Sequence, residues 1–194
     1  MTTLDLFPSY RMKLSIQQLS LQLSMVLATM LLFIAVLALS EGLFTHLVFT
    51  TGINYVYLPG GVRLLCTLLF AEAGAIGLLL VSWLVCFFYF FPEDYPRAFM
   101  GGVLAALAPY MAYRVSQHYY GIGASLANLT PQRLLVLSVV YSLASPLLHH
   151  VWFVLHGDEV SLSSFVVMFV GDLSGTLLVL YGCKALLSFL PKKR

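Results

Sequence analysis

Charged residues are scarce in this chain. Only 9% of its 194 residues are Asp, Glu, Lys or Arg, whereas roughly a quarter is usual in a soluble domain. Because 60% of the residues are hydrophobic, the composition excludes a water-soluble fold. The formal net charge of +2 is small and the basic residues are scattered, so nucleic acid is excluded as a partner.

Cysteines are also rare, and their spacing excludes the familiar metal motifs. Each lies in an apolar run without the CxxC or Cys/His pattern of a zinc or haem-attachment site, and each is interpreted as a small packing residue: Cys66, Cys86 and Cys183. His149 and His150, beside Trp152, are interpreted as interfacial residues rather than metal or haem ligands. We therefore expect no cofactor and no metal.

Recognisable catalytic arrangements are missing as well. The sequence contains no nucleophile elbow, no HExxH helix, no Walker loop and no pair of acidic residues at helical spacing. Each of these patterns would place a nucleophile, a metal or a phosphate where a reaction needs it. We therefore expect a protein without enzymatic activity.

Long apolar runs dominate what is present. A membrane-spanning helix needs about 20 apolar residues, so a chain of 194 residues has room for roughly five to seven crossings. We predict an all-α, polytopic transmembrane helix bundle of about six helices, forming a single integral membrane domain over residues 1–194. Residues 1–18 are predicted to be an interfacial N-terminal segment and residues 191–194 a basic cytoplasmic tail.

Two parts of the chain depart from simple spans. Residues 43–61 are apolar but too short for a full crossing and end in Leu58-Pro59-Gly60-Gly61, so a broken or re-entrant segment is predicted there. Residues 62–91 are too long for one comfortable span. Because small residues lie near the middle of this stretch, we predict two short helices, residues 62–73 and 76–91.

The distribution of charge predicts the orientation of the chain. With six helices, most basic residues fall on the side of the termini: Arg11, Lys13, Arg114, Arg133, Lys184, Lys192, Lys193 and Arg194. Most acidic residues fall on the other side: Glu41, Glu93, Asp94, Asp158 and Glu159. Basic loops favour the cytoplasm, so both termini are predicted to be cytoplasmic.

Three ionisable residues lie inside the predicted spans, namely Arg63, Glu72 and Asp172. A charged side chain in hydrocarbon costs several kcal/mol unless it is paired or hydrated, so such residues are candidates for a functional site. We expect Arg63 and Asp172 to lie in the outer half of the bundle and to pair, with Glu72 deeper or further inward. A structural ion pair and a ligand-binding pocket both remain open interpretations.

Small residues surround these charges. The Pro59-Gly60-Gly61 break leaves backbone N–H groups at the start of a helix, a geometry that suits an anion or a polar ligand group. Gly171 and Gly175 flank Asp172 and allow another backbone to pack closely. We therefore include both glycine pairs and the proline in the candidate site, although helix packing alone is an equally good interpretation.

Two motifs give the chain a family resemblance, Tyr57-Leu58-Pro59-Gly60-Gly61 and Gly171-Asp172-Leu173-Ser174-Gly175. In type, order and separation they resemble those of the first membrane-associated sensor domain family, a bacterial multi-helix module often fused to histidine kinases or diguanylate cyclases. The resemblance covers residues 54–190 and implies a stand-alone sensing module in the bacterial inner membrane. Such a module acts through a separate membrane or signalling protein.

Three functions therefore stay open. In a sensor-like module, the helices around Arg63 and Asp172 bind a small ligand or a partner helix and pass a packing change to another protein. In a small substrate-binding subunit of a transporter, the broken helix and the small-residue face dock on an energy-coupling partner. In a structural accessory subunit, the same faces stabilise a larger membrane assembly. The lipid bilayer is a partner in each case, and the sequence does not identify the ligand.

Overall fold

The computed structural model describes residues 8–121, 129–158 and 160–189, and this part of the chain is almost entirely helical. Five helices in it are long and apolar enough to cross a membrane. They are α1 (Pro8–Leu43), α2 (Leu58–Val85), α3 (Tyr95–Tyr120), α4 (Pro131–His156) and α5 (Leu162–Ser188). The predicted all-α helix bundle is confirmed.

Helix α2 contains a sharp reversal. Ala71 has φ 51° and ψ −124°, which is not a helical conformation, and it separates a first arm, residues 58–70, from a second arm, residues 72–85. A Cβ atom added at Gly74 would meet the backbone of Cys66. Eight residues of continuous helix would instead hold these two positions about 12 Å apart. The two arms therefore fold back on each other as a helical hairpin.

Contacts at the far end of the hairpin agree with this reversal. A π-helical turn, Cys86–Phe90, extends the second arm, and the hydroxyl of Tyr89 lies 3.4 Å from the Glu41 carboxylate near the end of α1. The chain thus leaves α1 and returns to the same end of the bundle. The predicted division of residues 62–91 into two helices is confirmed, and the turn lies at Ala71, slightly before the predicted position.

The segment between α1 and α2 is not a regular helix, which confirms the predicted break. It contains a 3-10 turn, Thr45–Leu47, and an antiparallel hairpin of β1 (Val48–Thr50) and β2 (Ile53–Asn54). Strand β2 is buried and packs against α5. Protein groups thereby cover the backbone of β2, whereas β1 is exposed.

The helix ends follow local sequence signals. The Thr130 hydroxyl accepts a hydrogen bond from the backbone N–H of Arg133 at 3.3 Å, with Pro131 at the first helical position, and both features mark the start of α4. Helix α1 begins at Pro8, so the predicted interfacial segment is helical over residues 8–18 and continuous with the first span, and its interfacial position stays a prediction. Residues 1–7 of the predicted N-terminal segment and the predicted basic tail, residues 191–194, lie outside the described residues.

The first arm of α2 is the centre of the bundle. From Leu58 to Leu68 every residue except Leu65 is buried. One apolar cluster joins this arm to α1 and to the second arm, through Phe33, Leu37, Val62, Cys66, Leu78 and Val81. Another joins it to α3 and α4, through Leu64, Leu68, Ala108, Ala112, Leu137 and Tyr141. Any polar residue on this arm is therefore enclosed by protein.

Candidate functional site

Arg63 lies on the buried first arm of α2 and is only 8% exposed. Its guanidinium carbon lies 5.4 Å from the ring centre of Phe33 and 5.1 Å from that of Tyr57. One terminal nitrogen, Nη2, also donates to the Tyr57 hydroxyl at 3.3 Å. Cation–π contacts reach about 2 kcal/mol in a desolvated site, so these rings offset part of the cost of burying the charge. They also fix the orientation of the guanidinium plane.

Asp172 lies on α5 and is 2% exposed. The glycines on either side of it bring α5 against the segment that precedes α2: a Cβ at Gly171 would meet the carbonyl oxygen of Asn54, and one at Gly175 would meet that of Tyr57. The backbone N–H of Tyr57 donates to the Gly171 carbonyl at 3.1 Å. The predicted close-packing role of the two glycines matches these contacts, which also hold Asp172 in place.

The glycine pair at the start of α2 faces the same helix. A Cβ at Gly60 would lie 2.8 Å from Oδ1 of Asp172, and a Cβ at Gly61 would lie 2.6 Å from Cβ of Val179. Both positions therefore need glycine for α5 to approach the first arm. The two motifs identified in the sequence meet at this contact.

The start of α2 has fewer free backbone N–H groups than the sequence suggests. Pro59 is fully buried and has no N–H to offer, and the N–H of Gly60 donates to the Tyr57 carbonyl at 3.0 Å. These two residues therefore serve the turn that begins α2. An anion bound in this region would therefore not use the backbone of Pro59 or Gly60.

A cavity of about 390 Å³ opens where α2, α4 and α5 meet the β-hairpin. Arg63 and Asp172 both line it, so the structure brings together the two charges selected from the sequence. The lining also includes Phe33, Asn54, Tyr57, Ser82, Phe90, Phe91, Arg97, His149, Trp152 and Phe153. Pockets that bind small molecules usually measure roughly 300–1,000 Å³.

The expected direct ion pair between Arg63 and Asp172 is not formed. Among the described residues, side chains of opposite charge come within 4.0 Å only at Arg97–Asp158, at 2.8 Å, and at Arg114–Glu72, at 3.9 Å. The physical reason lies in the neighbours of Arg63, since aromatic rings and a phenol hydroxyl hold its guanidinium. The two charges instead face a common cavity.

Several polar atoms of the cavity lining have no hydrogen-bond partner within the described part of the chain. They are Nε of Arg63, Oγ of Ser82, Nε1 of Trp152 and Oδ2 of Asp172. A buried polar group without a partner costs about 1–3 kcal/mol. All four atoms belong to residues that line one cavity, and each is closed off from solvent, so a polar ligand in the cavity would reach them with a small shift of the surrounding side chains.

Glu72 does not belong to this site. Its side chain is 61% exposed and lies 3.9 Å from the 59% exposed side chain of Arg114, so Glu72 does not join Arg63 and Asp172 in the candidate site as the sequence analysis expected. The reversal at Ala71 explains this position, because it places Glu72 in the turn between the two arms of α2. The pair lies on the surface, away from the cavity lining.

Helix α4 contributes residues that the sequence analysis did not assign to the site. Trp152 and His149 line the cavity, and Nδ1 of His149 contacts the Ser145 carbonyl at 2.8 Å. A signal existed, because polar residues recur three or four positions apart along this apolar helix: Ser138, Ser142, Ser145, His149 and Trp152. In the described residues, no three His, Cys, Asp or Glu side chains are placed to hold a metal ion.

The rim of the cavity also carries a charged residue that the sequence analysis did not assign to the site. Arg97, near the start of α3, forms its ion pair with Asp158, which follows α4. Its guanidinium carbon lies 5.5 Å from the ring centres of both Phe91 and Phe153. This contact joins the start of α3 to the loop that follows α4, at one end of the site.

No protein-family model, curated protein or solved structure matches the chain. The resemblance to the sensor domain family therefore stays a prediction.

Proposed function

We propose that this chain is a sensor-like, non-enzymatic module of the bacterial inner membrane that binds a small ligand in the cavity and acts through a separate partner protein. One observation supports this most strongly: Arg63 and Asp172, 8% and 2% exposed, line the same cavity. Ionisable side chains inside a membrane bundle are expensive and mark functional sites by default.

The packing around the cavity provides a route for a signal. Arg63 lies on the first arm of α2, Trp152 on α4 and Asp172 on α5, so a ligand that contacts all three links three helices. Gly171 and Gly175 of α5 lie directly against the backbone of Asn54 and Tyr57 just before α2, so no side chain absorbs a movement there. A ligand that shifts α5 therefore shifts the first arm, and closely packed helices respond in discrete steps.

The proposed orientation has both termini in the cytoplasm. Counting the two arms of α2 separately, the chain makes six helical passes, an even number. Arg114 and Arg133 lie at the end of the bundle nearest the termini, and Glu41 and the Arg97–Asp158 pair lie at the other end. In this arrangement, which follows the positive-inside rule, the rim of the cavity faces the periplasm.

The proposal is tested by isolating the tagged chain from native membranes in lipid particles and identifying bound small molecules and proteins by mass spectrometry. We expect a retained small molecule in the wild type, its loss in Asp172→Asn, and a changed amount of one partner protein. Glu72→Gln is the matched control, since it removes a carboxylate outside the cavity and should change neither. Identical small-molecule and protein content in wild type and Asp172→Asn overturns the proposal.

A substrate-binding subunit of a transporter is a second candidate. It is favoured by the first arm of α2, a short helix that begins beside a cavity, because such helices commonly form transporter sites. The same isolation separates the two functions. An ATP-hydrolysing complex as the partner supports transport, and a kinase or cyclase supports sensing.

A further inference from the structure

The unpartnered atoms of the cavity define the ligand that fits it. Nε of Arg63 and Nε1 of Trp152 each carry an N–H without an acceptor among the described residues, and Oδ2 of Asp172 is without a donor there. Guanidinium and indole N–H groups only donate, and a carboxylate only accepts. The ligand must therefore bring an acceptor to the first two atoms and a donor to the third.

The charges of the lining, counted together with the ion-pair partner of Arg97, add up to zero. Arg97 is neutralised by Asp158 at 2.8 Å, which leaves one positive group, Arg63, and one negative group, Asp172. A ligand with a net charge would leave an uncompensated charge in a poorly hydrated site, at a cost of several kcal/mol. A molecule with one charge of each sign satisfies both residues without that cost.

The chemistry of the positive site favours a planar oxyanion. The guanidinium of Arg63 contacts the rings of Phe33 and Tyr57 and already donates through Nη2 to the Tyr57 hydroxyl. The edge of the guanidinium that carries Nε therefore remains for the ligand. Arginine forms its strongest hydrogen bonds with carboxylate and phosphate oxygens. A carboxylate carries a single negative charge at neutral pH and so keeps the balance with Asp172, whose own oxygen suits an ammonium group.

The size and walls of the cavity limit the rest of the molecule. Its volume of about 390 Å³ suits a compound of amino-acid size rather than a lipid or a folded peptide. Aromatic rings of Phe90, Phe91 and Phe153 form part of the wall. They provide an apolar surface for a side group without charge.

We propose that the cavity binds a small zwitterion of the neutral amino-acid class, with its carboxylate on Arg63 and Trp152 and its ammonium on Asp172. This assignment rests on the proposed ligand-binding function and names the ligand class of the same site.

The test uses the full chain in lipid nanodiscs and measures binding by calorimetry. The zwitterionic probes are L-leucine and L-phenylalanine. Isoamylamine and phenethylamine lack the carboxylate, and isocaproate and hydrocinnamate lack the amine. We expect one of the amino acids to bind roughly tenfold or more tightly than either of its single-charge analogues. An analogue that binds as tightly as its amino acid overturns the assignment.

Variants then assign each charge of the ligand to its residue. In Arg63→Gln, the amino acid should bind no better than its amine analogue, since the carboxylate has lost its partner. In Asp172→Asn, it should bind no better than its acid analogue. Trp152→Phe keeps an aromatic ring and removes one N–H, so it provides a milder variant if Arg63→Gln does not fold. Glu72→Gln should bind like the wild type.

The outcomes separate this assignment from the function on which it rests. If neither amino acid binds, but a small molecule of another class co-purifies with the wild type and is lost in Asp172→Asn, the ligand class is wrong and the sensor-like function stands. If neither amino acid binds and nothing is lost in Asp172→Asn, both are wrong.

Discussion

At the scale of single residues, the site depends on glycines that bring α5 against the start of α2. A Cβ at Gly175 would meet the Tyr57 carbonyl and lie 2.8 Å from the backbone nitrogen of Leu58. These are backbone atoms, so the helix itself has to move. We expect Gly175→Ala to lower stability by about 1–3 kcal/mol and to weaken ligand binding. Thermal unfolding in detergent, followed by the helical circular dichroism signal, measures the first effect.

The same helix offers a matched control. A Cβ at Gly182 would have no neighbour within 4 Å, so Gly182→Ala should be neutral or stabilising by about 0.5–1 kcal/mol through its better helix propensity. Equal unfolding temperatures for Gly175→Ala and Gly182→Ala would show that the contact with Tyr57 does not hold α5 in place.

Residue chemistry explains which parts of the site the sequence could predict. Arg63 and Asp172 stand out because a charged residue inside an apolar run usually marks a buried ion pair or a functional site. Ser82 and Trp152 do not stand out, since serine and tryptophan are ordinary residues of membrane helices. Only the tertiary arrangement shows that both line one cavity. The direct ion pair was wrong for a related reason: sequence spacing does not reveal that Phe33, on another helix, stacks on Arg63.

At the scale of elements, the hairpin within α2 depends on a strained turn. Ala71 has a positive φ of 51°, which costs a residue with a side chain about 1–3 kcal/mol. We expect Ala71→Gly to raise stability by about 1 kcal/mol, because glycine adopts this conformation without the penalty. Ala75→Gly should lower stability by a similar amount, since Ala75 lies within the helical second arm. Chemical denaturation in mixed micelles measures both, and a shift of the same sign for the two variants contradicts the turn.

The elements were more predictable than the turn that divides them. Length alone required residues 62–91 to tilt or to fold back, and the charge distribution favoured the reversal. The sequence placed the turn near Gly74 and Gly77 because small residues usually mark bends. In the structure those glycines serve close packing instead, against Cys66 and against Thr29 of α1, and an alanine takes the strained position. Small residues occur both at bends and at close helix contacts, so the sequence alone does not distinguish the two.

At the scale of the whole molecule, the hairpin determines on which side of the membrane each loop lies. If residues 58–90 fold back, the end of α1 and the start of α3 share one side, as the contact between Glu41 and Tyr89 requires. Cysteines introduced at Gly42 and Glu93 should then react from the same side. If the stretch crossed only once, these two positions would lie on opposite sides.

A membrane-impermeant maleimide measures this in intact cells. A Cys183→Ser background removes the most accessible native thiol, because Cys66 and Cys86 are buried. Gly42→Cys and Glu93→Cys should be labelled in intact cells, and Gln132→Cys only after the membrane is opened, since the basic side faces the cytoplasm. Labelling of Glu93→Cys only in opened cells, with Gly42→Cys labelled in intact ones, contradicts the reversal at Ala71. If only Gln132→Cys is labelled in intact cells, the reversal at Ala71 is still supported but the orientation is inverted. The cavity would then open toward the cytoplasm.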